Sequence, residues 1–152
     1  MTTTMTLPGI DNLAFTINQE IRVNATLEVT FEALLEQLQN NEKHDGTPMP
    51  MKLEPWPGGR WYRDLGNGNG HFWAHVQAIK RPSLLEFSGP LFMSVPAANN
   101  VQYRLSESGG ATVIAFRHVC FGLIEEQHRK GVNEGWAYMN DRIRQLAEGI
   151  LH

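Results

Sequence analysis

Toward the C-terminus apolar residues recur at spacings that suit one face of a helix. Val132, Trp136, Met139, Ile143, Leu146 and Ile150 follow one another at four, three, four, three and four residues, which predicts a long helix over about Glu125 to Leu151. Gly131 and Gly135 would each weaken that helix by about 1 kcal/mol relative to Ala, so glycine at both positions suggests close packing. Arg142 and Arg144 suit the helix dipole, whereas Glu148 does not. A second helical pattern lies near the other end, where Leu27, Phe31, Leu34, Leu35 and Leu38 share a face behind a capping Thr26.

Between these helices the pattern changes to alternation. Phe15, Ile17, Ile21 and Val23 predict a first, half-buried strand. Asn40 to Pro50 reads as a loop, because Gly46, Pro48 and Pro50 punctuate a polar stretch. Strands are predicted over Met51 to Trp56, Trp61 to Leu65, Phe72 to Ile79 and Leu84 to Ser88, then around Val101 to Leu105 and over Thr112 to Cys120. The Pro55 to Gly59 stretch, the Gly66 to Gly70 run and Ser108-Gly109-Gly110 supply the turns. About seven strands joined mostly by hairpins, with one short and one long helix, make an α+β domain in which the long helix must cover the sheet.

Composition narrows the function classes. Thirteen Lys plus Arg against sixteen Asp plus Glu give a net charge of -3 with the basic residues scattered, which argues against nucleic acid as a partner. The single cysteine, Cys120, can form neither an internal disulfide nor a zinc cluster, and no apolar run approaches the roughly 20 residues that span a bilayer. A cytoplasmic protein without membrane insertion is the expectation. Residues 1–14, whose first nine are rich in Thr and lack Lys and Arg, read as a flexible leader, and 15–152 as a single domain.

Four short motifs in order carry a family resemblance. They are Ala25-Thr26-Leu27-Glu28 leading to Phe31 and Ala33-Leu34, the turn Pro57-Gly58-Gly59-Arg60-Trp61, the strand from Thr112 to Gly122 with Ile114, Phe116, His118 and Phe121, and Gly135-Trp136 trailed by Met139, Ile143 and Leu146. Together these resemble the SRPBCC (START and Bet v 1-like) superfamily, in particular its Activator of Hsp90 ATPase homologue 1-like branch. The resemblance implies a helix-grip fold, a curved antiparallel sheet of six or seven strands wrapped around the terminal helix with a cavity between them. It also implies the activities found in such families: binding of lipid-like or polyketide-like molecules, polyketide cyclisation, or assistance to Hsp90. Fold alone does not choose among these.

Granted that cavity, its expected lining is Trp56, Trp61, Phe72, Trp73, Phe87 and Phe92 from the sheet region. Tyr103, Phe116, Trp136 and Met139 complete it. Taken singly, each ring is also the kind that fills an ordinary core. His118 shares a strand face with Thr112, Ile114 and Phe116, so it points toward the terminal helix. There it would either orient a ligand carbonyl or be satisfied by neighbouring groups. Arg63 alternates with Trp61 and Leu65, so it either enters the same interior, where a guanidinium suits a carboxylate or an acidic ligand, or stands in solvent at the cavity mouth.

His71 and His75 would stand about 13 Å apart on a strand, too far for one metal ion. The glycine run at 66–70 misses the dinucleotide spacing and is read as a turn. Cys120 reads as a packed, inert thiol, and Glu125 and Glu126 suit the start of a helix. No catalytic residue, metal or cofactor is assigned. The expected function is binding of a small hydrophobic or aromatic molecule between sheet and helix. The alternatives are a polyketide cyclase or hydrolase using His118 or Arg63, and an interaction module for an Hsp90-like chaperone. A homodimer is compatible with each.

Overall fold

The computed structural model describes residues 9–43 and 45–151, with Ile10 and Asp11 described in backbone only. The first eight residues of the expected leader lie outside that range, while Ile10–Leu13 (α1) form one helical turn and β1 begins at Ala14. The chain then runs β1 (Ala14–Val23), α2 (Leu27–Gln39), β2 (Asn40–Glu42), β3 (Pro48–Pro50), β4 (Lys52–Leu53) and β5 (Arg60–Gly66). It continues through β6 (Asn69–Lys80), β7 (Leu84–Gly89), β8 (Ala97–Ser108), β9 (Ala111–Gly122) and α3 (Glu126–Ala147). Seven strands form one sheet in the order β1-β9-β8-β7-β6-β5-β4, and every pair is antiparallel.

Local sequence explains most of these boundaries. Thr26 caps α2 by accepting a hydrogen bond at its side-chain oxygen from the Val29 amide, at 3.2 Å. The β5–β6 hairpin turns through Asn67 and Gly68, both at positive φ, the pair of conformations that a tight two-residue hairpin needs. The strand expected from Met51 to Trp56 is only two residues long. Beyond it the Trp56 amide bonds back to the Glu54 carbonyl, and the chain turns so tightly that a Cβ at Gly59 would stand 1.9 Å from that same oxygen.

The segment Asn40 to Pro50, expected to be a loop, instead contains a small separate hairpin, β2 against β3. Each of its strands is three residues long and is an edge, so prolines at both ends of β3 remove no bond from the centre of a sheet. Among the described residues no helix is long and apolar enough to cross a membrane.

The core sits between the concave side of the sheet and the two longer helices. Val132, Trp136, Met139 and Ile143 of α3 are buried, as their spacing predicts. Leu146 is half-buried, and Ile150 lies past the helix end, 59% exposed, because the chain turns at Gly149. Glu148 earns its place outside the dipole argument: one carboxylate oxygen accepts from Arg144 and the other from the Asn24 amide, both at 2.9 Å, which ties the end of α3 to the end of β1. Trp61 is the centre of the other half of the core. Its indole N–H donates to the Leu38 carbonyl at 2.8 Å, and its ring stacks on Phe87 at 5.1 Å and meets Trp73 edge-on at 5.0 Å.

Candidate functional site

Trp73 and Ala74 are consecutive yet both buried, because β6 carries a bulge: Trp61 pairs with Ala74 and Tyr62 with Phe72, leaving Trp73 without an opposite number. The extra residue turns the Trp73 ring toward α3. Phe92, in the segment after β7, stands between Trp73 and Trp136, with ring centroids 5.6 and 6.3 Å away. These rings, with Val132 and Met139, floor a groove of about 650 Å³. The β2–β3 hairpin forms its second wall through Asn41, Glu42 and Met49, and Gln127, His128 and Tyr138 of α3 contribute to its rim. The volume and mixed lining are those of a small-molecule pocket.

The hairpin wall is held to α3 by a shared carboxylate. Arg142 donates to Glu42 Oε1 at 2.7 Å, and the Tyr138 hydroxyl donates to the same oxygen. That bond to Glu42 is the main reason the Tyr138 hydroxyl is held above its ordinary pKa.

Gly131 and Gly135 also line the groove, and at Gly131 a Cβ would meet no atom within 4 Å. The reading of Gly131 as a mark of close helix packing is therefore corrected, since the missing side chain there leaves open space instead. Gly131→Ala should accordingly stabilise the protein by about 1 kcal/mol, the helix-propensity gain at an unobstructed position. Urea denaturation checks this, and a loss of stability would show that the position is crowded after all.

Behind the groove runs a buried polar relay. The Trp136 indole N–H donates to His118 Nδ1 at 2.9 Å, so the neutral imidazole carries its proton on Nε2 and donates it to Asn99 Oδ1 at 2.7 Å. The Asn99 amide nitrogen in turn donates to the Gly89 and Pro90 carbonyls, each at 3.2 Å. Burial pushes the His118 pKa down to about 4. A parallel relay links the Tyr103 hydroxyl to Asn140 Oδ1 at 2.8 Å and the Asn140 amide to Gln19 Oε1 at 2.9 Å. Burial likewise raises the Tyr103 pKa. The Cys120 thiol is buried and pushed up to about 11 by desolvation, which keeps it protonated and unreactive.

The structure thus divides the residues expected to line a cavity. Trp73, Phe92, Trp136 and Met139 line the groove. Trp61, Phe87, Tyr103, Phe116 and His118 are fully or almost fully buried and form the core that supports it. Trp56, in the turn that follows β4, is 55% exposed and lines neither this groove nor the one beside it. Phe72, 41% exposed, and Arg63 border a second groove that shares Trp73 and Phe92 with the first. Both His118 ring nitrogens are engaged by protein groups, Asn99 and Trp136. Met49, Glu42 and Tyr138 were not foreseen. The glycines at 131 and 135 were the available signal that this face of α3 borders space.

Residues 24–148 match the protein family described as Activator of Hsp90 ATPase homolog 1-like protein. No curated protein matches the chain at a significant level. Among solved structures it is similar to CalU16 from Micromonospora echinospora, with a TM-score of 0.65 and 20% identity over 88% of this chain and 76% of that one. It is also similar to the Aha1 dimer from Colwellia psychrerythraea, with a TM-score of 0.62 and 17% identity over 88% and 96%. The di-domain ARO/CYC StfQ from the steffimycin biosynthetic pathway gives a TM-score of 0.64 and 10% identity over 92% of this chain and 51% of that one. Likeness at these identities establishes the fold, which is the Bet v 1-like helix grip.

Proposed function

We propose that this chain, which belongs to the Activator of Hsp90 ATPase homolog 1-like family of the SRPBCC superfamily, binds a small hydrophobic or aromatic molecule in the groove between α3, the β2–β3 hairpin and the sheet. The observation that carries this reading is the groove itself, about 650 Å³ with two indoles, a phenyl ring and methionines on its inner surface. Flat apolar molecules gain both area burial and ring contacts on such a surface. Similarity of fold to an ARO/CYC protein supports a ligand-binding or cyclase-type module at the level of architecture. Of the two polarising groups considered for a cyclase, His118 spends both nitrogens inside the core, which leaves Arg63 alone and favours binding over cyclisation.

Tryptophan fluorescence tests the proposal directly. Flavonoid-like and polyketide-like rings should quench saturably, with affinity near micromolar, or about -8 kcal/mol. Trp73 and Trp136 both line the groove, so Trp136→Phe should remove a large part of the quenching and the double change Trp73→Phe with Trp136→Phe nearly all of it. A panel of such compounds that leaves the fluorescence unchanged would remove the binding reading.

A further inference from the structure

The second groove, about 370 Å³, has a chemistry of its own. Arg63 on β5 stands directly opposite His71 on β6, so the two side chains leave the same face of the sheet. They share the groove with Trp73, Phe92 and the segment Pro90 to Ser94, and no Asp or Glu is among its lining residues. The neighbouring carboxylate, Asp64, is already engaged by Lys52 at 3.0 Å and by the Gly66 amide at 2.8 Å.

Most arginines elsewhere in the protein have partners. Arg60, Arg81, Arg142 and Arg144 make ion pairs, and Arg22, Arg104 and Arg129 donate hydrogen bonds. Among the described residues only Arg63 and Arg117 do neither, and Arg117 is exposed whereas Arg63 is half-buried. Arg63 thus borders the groove with no counter-charge among the lining residues, and a guanidinium there offers a planar fork of donors to a guest. In a protein of net charge -3 this is a local reversal of sign.

The wall between the two grooves is placed deliberately. Leu91 holds a φ of 54°, in the left-handed region that costs a non-glycine residue about 1 kcal/mol or more, while its amide donates to the Trp73 carbonyl at 2.8 Å. That turn sets Phe92 beside Trp73, where both rings border both grooves.

Going beyond the binding function proposed above, we infer that this second groove takes an organic carboxylate, its flat apolar body lying against the Trp73 and Phe92 rings from that side and its carboxylate accepting from Arg63. A carboxylate matches the guanidinium fork with two parallel hydrogen bonds. A phosphate ester would call for further cations or a cluster of backbone amides, and the only other ionisable residue in this groove is His71.

The experiment compares naphthoic acid with its uncharged amide by isothermal titration calorimetry on the full chain near neutral pH. Naphthoate should bind about tenfold more tightly or better, the effect of a charge-assisted hydrogen bond. Arg63→Met should bring naphthoate down to the level of the amide and leave the amide unchanged, while Arg63→Lys retains part of the preference and Arg117→Met all of it. Thermal denaturation of each variant reports that it is folded. Equal binding of acid and amide to the unaltered protein would overturn the carboxylate assignment while leaving the groove as a binding site. Binding of neither would overturn both.

Discussion

Acidification from pH 7 to pH 4 should cost this protein about 3 kcal/mol through His118 alone. The imidazole has a folded-state pKa of about 4 because it is desolvated, against about 6.5 in an unfolded chain. A histidine with a depressed pKa contributes its stability fully above the unfolded value and loses it as the pH falls toward the folded value, because the unfolded chain then binds a proton that the folded one refuses. The window is therefore pH 6.5 down to 4.

Carboxylates complicate the absolute curve, since Glu54, paired with Arg60, has its pKa lowered to about 2 and Asp64 and Asp141 are also lowered. These groups are common to a His118→Gln variant and cancel in the comparison. Glutamine also preserves the relay, offering an oxygen to Trp136 and an N–H to Asn99. Urea denaturation of the two proteins at several pH values should show the stability difference shifting by about 3 kcal/mol in favour of His118→Gln as the pH falls from 7 to 4. Parallel curves would mean that His118 is not the buried neutral group described here.

Trp61→Ala should be more damaging still, at about 3–5 kcal/mol, because it empties the centre of the core and strips the Leu38 carbonyl of its donor. In a protein of this size that lowers the melting temperature by on the order of 10 °C. Trp61→Phe separates the two causes: it keeps a ring against Phe87 and loses only the indole hydrogen bond and some volume, so its cost should be about a third of the alanine change. Equal losses in the two variants would show that the hydrogen bond, and not the packing, dominates. The alanine variant should also lose affinity for groove ligands, since Trp73 rests edge-on against the Trp61 ring.

Much of the fold was legible because it depends on periodicities that do not require knowledge of partners. The face of α3 from Val132 to Ile143, the Thr26 cap and a hairpin turn within Gly66 to Gly70 were all readable from local residues. The β2–β3 hairpin was not, since three residues per strand are too few to display alternation and its prolines look like loop punctuation.

The site was readable only in part, and for two physical reasons. Alternation says which face of a strand a ring occupies, but whether that ring touches space or other side chains depends on how far the covering helices extend, which separates Trp73 from Trp61. The bulge at Trp73 breaks alternation altogether, and only the partner strand's register reveals it. Arg63 was placed inside a cavity or at its mouth by alternation with Trp61, but its lack of a counter-charge belongs to tertiary structure and could not be seen along the chain.

The hydrogen bond from the Trp136 indole to His118 has a consequence for selectivity. An indole that packs by apolar contact alone can rock about its side-chain torsions to accommodate guests of different shape. Here the N–H is fixed to an imidazole that is itself fixed to Asn99, so rotating the ring would break a buried bond and strand a desolvated nitrogen. The groove therefore has one stiff wall, formed by Trp136, facing a hairpin wall fastened through Glu42. Under the binding function proposed, molecules that conform to the plane of that indole would bind without first immobilising it, and branched or strongly curved ones would meet a surface that does not yield.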